Sequence, residues 1–315
     1  MKAIAITEFG GVDKLKLMEL PVPEPGPGEI QIHIKATSVN PVDWKIREGM
    51  LQGRLPHEFP LIPGWDAAGI VSGRGAHADL FGIGDEVYAY CRKPVIGGGT
   101  YAEFVTVPQT SAALKPRNMS YEEASTVPLA GLTAYQCLFD AAKLERNETI
   151  LIHGAAGGVG SFAVQMARTR GARVLGTASL RNHEYLRVLG CDVPIDYTAG
   201  DFRQMTRQIC PDGVDVVFDC AGGGVLTLSE SILRKYGRAV SIIDPDEVEK
   251  LKLNGVDAKY VFVSPNHDEL SDLTRMVEQG RLHSNISARF RLEDASKAHQ
   301  MSESHHIRGK VVLTI

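Results

Sequence analysis

The chain has 315 residues, of which 43% are hydrophobic and 23% charged, and this is enough for two soluble globular domains. Its formal net charge of -4 gives no basic excess, which argues against nucleic acid or an anionic membrane as a partner. No apolar stretch has the length of a signal peptide or a membrane span, so we expect a cytoplasmic protein. The five cysteines are scattered and form no Cys-x-x-Cys pair, which predicts reduced thiols without a disulfide framework or structural zinc.

The first third of the chain is rich in Gly and Pro and contains short β-prone runs between turns. Many short strands at close spacing are typical of an all-β barrel or sandwich. The predicted strands are 3–7, 29–36, 67–72, 86–90 and 101–107.

The pattern changes after about residue 120, where Ser120 and Glu123 have the spacing of a capping box. Continuous apolar strands then alternate with helices, which predicts a doubly wound parallel sheet covered on both faces. The predicted strands are 149–153, 173–178, 214–219, 239–243, 260–263 and 310–315. The predicted helices are 121–129, 132–141, 159–170, 182–189, 202–209, 226–233, 269–279 and 292–299.

A glycine-rich loop, Gly154-Ala-Ala-Gly-Gly-Val-Gly160, joins a predicted strand to a predicted helix. This is the context of a dinucleotide-binding loop, in which backbone N–H groups at the helix start hold a pyrophosphate. The pattern is imperfect because Ala155 stands at the first glycine, and a tight connection without a ligand is the alternative. The loop residues predicted to bind the cofactor are Ala156, Gly157, Gly158 and Val159.

The end of the second strand in this domain decides between the two nicotinamide cofactors. An NAD site places Asp or Glu there to bind the ribose hydroxyls, but this chain has no acid before Glu184. Ser179 can donate a hydrogen bond to a 2′-phosphate, and Arg181 can pair with it. Arg181 could instead be a solvated residue at a helix start. We therefore predict NADPH as the cofactor.

Several ordered segments resemble the quinone oxidoreductase branch of the medium-chain dehydrogenase/reductase superfamily. The resemblance runs through almost the whole chain and is far more specific than the glycine loop alone. The segments are Asn40-Pro-Val-Asp43-Trp-Lys45-Ile-Arg47-Glu-Gly49, Pro63-Gly-Trp-Asp-Ala-Ala-Gly-Ile-Val71, Gly98-Gly-Thr-Tyr-Ala-Glu103, Gly131-Leu-Thr-Ala134, Ala155-Ala-Gly-Gly-Val-Gly160 and Arg308-Gly-Lys-Val-Val-Leu313.

The resemblance implies an α/β protein in which a GroES-like β-barrel domain, residues 1–122 and 262–315, surrounds a Rossmann domain, residues 123–261. It also implies a homodimer formed through the edges of the Rossmann sheets. Tyr197 would lie near the adenosine 2′-phosphate, although it could equally be an aromatic residue at the edge of the core. The other positions implied to bind the cofactor are Thr133, Ala221, Gly222, Ile243 and Val263.

The zinc-dependent alcohol dehydrogenases of the same superfamily differ at their metal-binding positions. They have Cys where this chain has Asn40, and Gly-His-Glu where it has Gly64-Trp65-Asp66. Trp cannot bind zinc, and a neutral amide replaces thiolate poorly. The adjacent His305 and His306 are expected on a solvated turn. We therefore predict no metal site.

Without a Lewis acid, reduction of an electron-poor acceptor is easier than oxidation of an alcohol. The expected acceptor is a small molecule, either a quinone or an α,β-unsaturated carbonyl. Asn40 and Lys45 are the candidates for stabilising charge on its oxygen, and Lys45 could also contact the cofactor. Quinone reductases often have Tyr at the position of Lys45, and lysine resembles the enone reductases of the branch. Asp43 either fixes the loop through backbone N–H groups or takes part in proton transfer.

Two other functions remain open at this point. The chain could be a nucleotide-binding module with weak or lost chemistry that acts as an NADPH-responsive interaction protein. It could also be a zinc alcohol dehydrogenase with unusual ligands. Within the first hypothesis, Lys45 could be an ordinary surface lysine without a role in catalysis.

Overall fold

The computed structural model describes residues 1–304 and 307–315, which form two compact units. The first unit consists of Met1–Leu132 and Ser264–Ile315, and the second consists of Thr133–Val263. The first boundary lies ten residues later than the sequence suggested, after residue 132 instead of 122. The intervening segment belongs with the first unit, where the backbone N–H of Leu129 donates to Asp66.

The described residues contain seventeen strands and ten α-helices. The strands are β1 (Lys2–Ala5), β2 (Lys16–Glu19), β3 (Glu29–Val39), β4 (His57–Ile62), β5 (Asp66–Arg74), β6 (Glu86–Tyr90), β7 (Ile96–Gly98), β8 (Phe104–Pro108), β9 (Ala112–Leu114), β10 (Thr149–His153), β11 (Arg173–Thr177), β12 (Val193–Ile195), β13 (Val214–Asp219), β14 (Leu233–Ser241), β15 (Asp257–Tyr260), β16 (Ile286–Arg291) and β17 (Lys310–Thr314). The helices are α1 (Pro41–Arg47), α2 (Tyr121–Ser125), α3 (Pro128–Tyr135), α4 (Gly158–Arg170), α5 (His183–Leu189), α6 (Phe202–Ile209), α7 (Val225–Ser229), α8 (Pro245–Leu253), α9 (His267–Glu278) and α10 (Ala295–Glu303).

The first unit is built on a seven-stranded sheet in the order β16-β17-β3-β5-β6-β9, with β8 also paired to β3. β3 is its longest strand and alternates buried and half-buried residues, so one face packs inward. Its apolar core includes Ile30, Ile32, Ile34, Val71 and Val105. The C-terminal strand β17 pairs antiparallel with β3, which brings Val311 opposite Val39 and completes this domain with the end of the chain.

The second unit is a parallel sheet of six strands in the order β12-β11-β10-β13-β14-β15. All six residues of β13 are buried, as expected for a central strand covered by helices on both faces. The strand order reverses between β10 and β13, and ligands of such sheets bind beyond the carboxyl ends at this switch point. The glycine loop follows β10 at this position.

Some elements differ from the sequence prediction. The last strand before the return to the first unit is Asp257–Tyr260, not 260–263, and the helix predicted at 226–233 ends as α7 at Ser229. The helix predicted over 132–141 continues from α3 into a π-helical segment, Gln136–Ala141. α8 went unrecognised although Asp244, which accepts from the N–H groups of Asp246 and Glu247, caps it before a proline.

Candidate active site

Asn40 and Asp43 lie at the corner between β3 and α1 in the first unit. Asn40 is the residue before the helix, and its backbone N–H donates to Asp43 Oδ2 at 2.8 Å. Pro41 at the first helical position fits because its missing N–H is not needed there. Asn40 is only 2% exposed, and Asp43 is fully buried. The chain therefore folds this corner inward.

The side chain of Asn40 has all of its polar atoms engaged. Its Nδ2 donates to Asp66 Oδ2 at 2.8 Å and to the Ser38 carbonyl at 3.4 Å, and its Oδ1 accepts from Lys310 Nζ. We call Asn40, Asp43, Asp66 and Lys310 the buried charged centre. The geometry gives Asn40 a connecting position in this centre and leaves its predicted contact with the acceptor oxygen without structural support.

Asp66 and Lys310 form an ion pair inside the barrel domain. Lys310 Nζ lies 3.6 Å from Asp66 Oδ2, and both side chains are almost completely buried. Asp66 Oδ2 also accepts from Ser38 Oγ, while Asp66 Oδ1 accepts from the backbone N–H of Leu129 at the start of α3. Burial lowers the pKa of Lys310 against the opposing effect of the two carboxylates. This pair joins β5, β17 and α3.

Asp43 is a buried carboxylate whose pKa is shifted by its surroundings. Burial raises its pKa to about 7, and the nearby charge of Asp66 adds to the rise. Tyr101 Oη donates to its Oδ2 at 3.0 Å, whereas its Oδ1 has no hydrogen-bond partner within residues 1–304 and 307–315. The bond from the Asn40 N–H is the loop-fixing arrangement, while proton transfer by Asp43 stays a prediction.

A second layer of buried residues, missed by sequence reasoning, supports Asp43. His299 donates from Nε2 to Tyr101 Oη at 3.1 Å, and its Nδ1 accepts from Arg47 Nη1 at 3.2 Å. Burial lowers the pKa of His299 to about 3, and the charge of Arg47 contributes, so the ring is neutral. Arg47, 1% exposed, also pairs with Glu48 and Glu303. Arg47, Tyr101 and His299 lie far apart in sequence, so no spacing motif could have indicated their contacts.

Lys45 is a half-buried lysine on α1, two residues after Asp43. Burial lowers the pKa of its ammonium group, which lies 5.7 Å from the Trp44 ring centroid. No carboxylate forms a salt bridge with Lys45 in the part of the chain that the structure describes. A desolvated ammonium group without an internal counter-ion is available for a ligand oxygen.

The glycine loop forms the start of α4 in the second unit. Gly157 is the residue before the helix, and the first turn has neither a side-chain cap nor an acidic residue. The free backbone N–H groups of this first turn, together with the helix dipole, favour binding of an anion at the start of α4. A Cβ on Gly160 would collide with the Gly154 carbonyl oxygen and with Ala155, so only glycine allows this packing. Ala156, Gly157, Gly158 and Val159 lie together in this turn.

The predicted 2′-phosphate residues lie around the ends of β11 and β12. Ser179 is half-buried two residues after β11, Arg181 is exposed, and Tyr197 is 57% exposed beyond β12. Arg181 forms no ion pair with any described residue of the chain. Sequence reasoning overlooked Asp196, whose pKa is lowered by hydrogen bonds from Thr198 and, more weakly, from the Leu180 backbone. The predicted 2′-phosphate residues therefore do have an acidic neighbour, Asp196, which directly follows β12.

The remaining predicted cofactor positions follow β13 and β14 or lie at the unit boundaries. Asp219 Oδ1 accepts from the N–H groups of Ala221 and Gly222, both at 2.8 Å, and thereby shapes the loop after β13. Ile243 packs against Gly222, where a Cβ would clash with it. Thr133 and Val263 are the first and last residues of the second unit, and both are buried.

Within residues 1–304 and 307–315, no three His, Cys, Asp or Glu side chains form a group suited to a metal ion. None of the helices described is both long and apolar enough to cross a membrane. His305 and His306, predicted on a solvated turn, lie outside the described residues.

Comparison with known proteins agrees with both halves of the fold. Residues 26–117 match the alcohol dehydrogenase GroES-like domain, and residues 189–313 match a family described as zinc-binding dehydrogenase. The chloroplast envelope quinone oxidoreductase homolog of Arabidopsis thaliana is 32% identical over 317 residues, covering 96% of this chain and 95% of the relative. The chain belongs to the quinone oxidoreductase branch of the medium-chain dehydrogenase/reductase superfamily.

Two more relatives describe the range of this oxidoreductase branch. The 2-methylene-furan-3-one reductase of Solanum lycopersicum is 33% identical over 322 residues, covering 99% of this chain and 79% of the relative. The crystal structure of Escherichia coli quinone oxidoreductase complexed with NADPH superimposes with a TM-score of 0.88 at 26% identity, covering 100% of both chains. The predicted family and fold class are thereby confirmed, and the chain is an oxidoreductase.

Proposed function

We propose that this protein is an NADPH-dependent, zinc-independent reductase that transfers hydride to a quinone or to the β-carbon of an α,β-unsaturated carbonyl. The observation that carries the proposal is the state of Asn40, whose amide is fully occupied by Asp66, Ser38 and Lys310. An amide held in this way is not free to bind a metal. The reaction must then rely on positioning and on hydrogen bonds to the acceptor.

The cofactor assignment is supported by the second unit. The uncapped, acid-free start of α4 suits a pyrophosphate, and its glycines leave room for a close approach of the backbone. Ser179, Arg181 and Tyr197 would hold the 2′-phosphate, and a solved relative is complexed with NADPH. Bound NADPH would supply the hydride. Asp196 is the feature that opposes a phosphate here, and its Oδ1 accepts hydrogen bonds from the backbone N–H and the hydroxyl of Thr198.

Zinc independence is supported by the residues at the two metal positions of the zinc-dependent relatives. The first is Asn40, and the second is Trp65, which is 4% exposed and packs edge-on against Tyr90 at 6.1 Å. Lys310 already supplies a positive charge to the adjacent carboxylate. A metal ion beside this ammonium group would be repelled.

Lys45 is the residue that we assign to the acceptor. Its ammonium group would donate a hydrogen bond to the carbonyl oxygen and stabilise the negative charge that develops there as hydride arrives. Because burial lowers its pKa, Lys45 is also a better proton donor to that oxygen than an exposed lysine. Lysine at this position favours enones and enals, and the tomato relative named as a furanone reductase is consistent with this preference.

The test is a steady-state panel of 1,4-quinones, enones, enals and simple aldehydes with NADPH and NADH. We expect turnover with the first three classes, a preference for NADPH, and no effect of chelators. Lys45→Met should lower kcat by about a hundredfold, the effect of removing one charge-stabilising donor. Lys16→Met, an exposed lysine on β2, is the control and should leave kcat unchanged.

Tight NADPH binding with no turnover of any acceptor would favour the alternative, an NADPH-responsive interaction protein. Turnover that survives Lys45→Met unchanged would remove the assigned role of Lys45.

Cellular location and oligomeric state are two further proposals. The location proposed from the sequence is the cytoplasm, whereas relatives from Arabidopsis thaliana, Triphysaria versicolor and Spinacia oleracea are named as chloroplast proteins. A homodimer through the edges of the parallel sheets is expected from the family, and sedimentation would measure it.

A further inference from the structure

His153 is a buried histidine that the proposed reaction does not use. It is the last residue of β10, directly before the glycine loop, and is 1% exposed. Its ring nitrogens contact two other elements of the second unit. Nδ1 lies 3.1 Å from Thr177 Oγ1 at the end of β11, and Nε2 lies 2.9 Å from Ser229 Oγ at the end of α7.

The hydrogen bonds around His153 can be assigned a direction. Ser229 Oγ donates its proton to the Val225 carbonyl at 2.6 Å, so it must accept from His153 Nε2–H. Nδ1 is then unprotonated and accepts from the hydroxyl of Thr177. Burial lowers the pKa of His153 to about 4, so the ring stays neutral and keeps this tautomer.

Each element that His153 joins leads to a segment predicted to bind the cofactor. β10 runs into the glycine loop, and β11 is followed by Ser179 after one residue. α7 follows Gly222, Gly223 and Gly224, three consecutive glycines with positive φ angles of 72°, 74° and 86°. Backbone contacts repeat the first connection, because the Ala155 N–H donates to the Thr177 carbonyl at 3.2 Å.

We propose that His153 is a positioning residue that holds three segments in one fixed arrangement for NADPH. These segments are the glycine loop, the end of β11 that leads to Ser179, and the triglycine loop, residues 222–224. The inference rests on the proposed NADPH binding and adds a residue to it. Side chains behind a binding site raise affinity when they fix the orientation of the groups in front of them. Three consecutive glycines gain the most from such a support, because glycine loses the most conformational entropy on ordering.

The experiment measures NADPH and NADH dissociation constants by fluorescence for the unmodified protein and six variants. Thr177→Val and Ser229→Ala each leave one ring nitrogen of His153 without its partner. Thr206→Val is the control, because Thr206 is equally buried in this unit but its hydroxyl donates to the Phe202 carbonyl within α6 and not to His153. Circular dichroism and the unfolding midpoint Tm of each variant are recorded, and dissociation constants are taken on folded protein.

We expect each of the first two variants to weaken NADPH binding about tenfold, while Thr206→Val lowers only Tm. Thr177→Val should weaken NADPH more than NADH, because its strand leads to the 2′-phosphate residues. The double variant should weaken binding less than the product of the two single effects, since both act through His153. His153→Gln, which keeps a donor near Nε2, should bind NADPH more tightly than His153→Leu.

Dissociation constants within twofold of the unmodified protein for both Thr177→Val and Ser229→Ala would overturn the role of His153, whatever the change in Tm. Failure of the unmodified protein to bind either nucleotide would overturn the proposed function itself, and the inference with it.

Discussion

The two domains bury polar groups in different ways. In the barrel domain the buried charged centre joins side chain to side chain, with Asp66 receiving Ser38 Oγ, Asn40 Nδ2 and Lys310. In the parallel-sheet domain the buried carboxylates mainly accept hydrogen bonds from the backbone. Asp219 accepts from the N–H groups of Ala221 and Gly222, and Glu247 accepts from those of Gly224 and Thr227. The first arrangement depends on charge balance, and the second depends on the path of nearby loops. Substitutions that remove a buried charge should therefore affect the barrel domain most, and substitutions that change the backbone path should affect the parallel-sheet domain most.

The largest effect should follow the loss of the buried ammonium group. Lys310→Met leaves Asp66 buried without its counter-ion, and removing one partner of such a pair lowers the free energy of unfolding by about 3–5 kcal/mol. Denaturant unfolding measures this. Lys297→Met, which removes an exposed lysine paired with Asp294, is the control, with an expected change below about 0.5 kcal/mol. Equal losses in the two variants would show that the barrel centre does not depend on charge.

The next effect concerns the pH dependence of stability. Folded Asp43 keeps its proton up to a pKa of about 7, whereas the unfolded chain releases it near pH 4, so the folded state binds more protons between these values. Its contribution to stability is therefore present at low pH and is lost as the pH rises to about 7. The stability of the unmodified protein minus that of Asp43→Asn should fall by about 4 kcal/mol across this window, since each unit of pKa shift corresponds to about 1.4 kcal/mol.

Two buried histidines oppose this trend and make the subtraction necessary. His153 and His299 have pKa values lowered by burial to about 4 and about 3, so they stabilise the fold above pH 6.5 and less as the pH falls. Both are present in the two proteins being compared, so their contributions cancel. A stability difference that does not vary with pH would mean that Asp43 is ionised in the fold.

In the cofactor domain, backbone shape should matter more than charge. Gly160→Ala introduces a methyl group where the Gly154 carbonyl and Ala155 leave no room, so the glycine loop must move. NADPH binding should weaken by at least about tenfold, or about 1.4 kcal/mol. Gly82→Ala in the barrel domain is the matched control, because its Cβ would meet nothing closer than 3.7 Å. Unaltered NADPH affinity in Gly160→Ala would place the cofactor elsewhere.

The smallest effect should come from an exposed charge. Arg181→Ala should lower kcat/KM for NADPH about fivefold, near 1 kcal/mol, because an exposed pair is screened by solvent. The value for NADH should stay within twofold, since only NADPH has the 2′-phosphate. Arg187→Ala, an exposed arginine on α5 that pairs with Glu184, serves as the control. An equal loss with both cofactors would assign Arg181 a general electrostatic role.

The same contrast explains how much the sequence reveals. β10, α6 and β13 were predicted with their observed bounds because their periodicity is local, and the glycine loop was recognised from consecutive residues. The strict alternation of Ile286–Arg291 was also present and was overlooked. The buried charged centre joins positions 40, 66 and 310, whose proximity depends on the pairing of β17 with β3. Residue types alone carry no record of that pairing, so the contacts of Asn40 with Asp66 and Lys310 could not be predicted, and its contact with the acceptor stays a prediction.

The most direct test of the account is the rate of NADPH oxidation by an enone or a 1,4-quinone before and after exhaustive treatment with a zinc chelator, with the metal content measured on the same sample. We expect equal rates and far less than stoichiometric metal throughout. A rate that is lost on chelation and restored by zinc would contradict the role given to Asn40 and the buried charged centre.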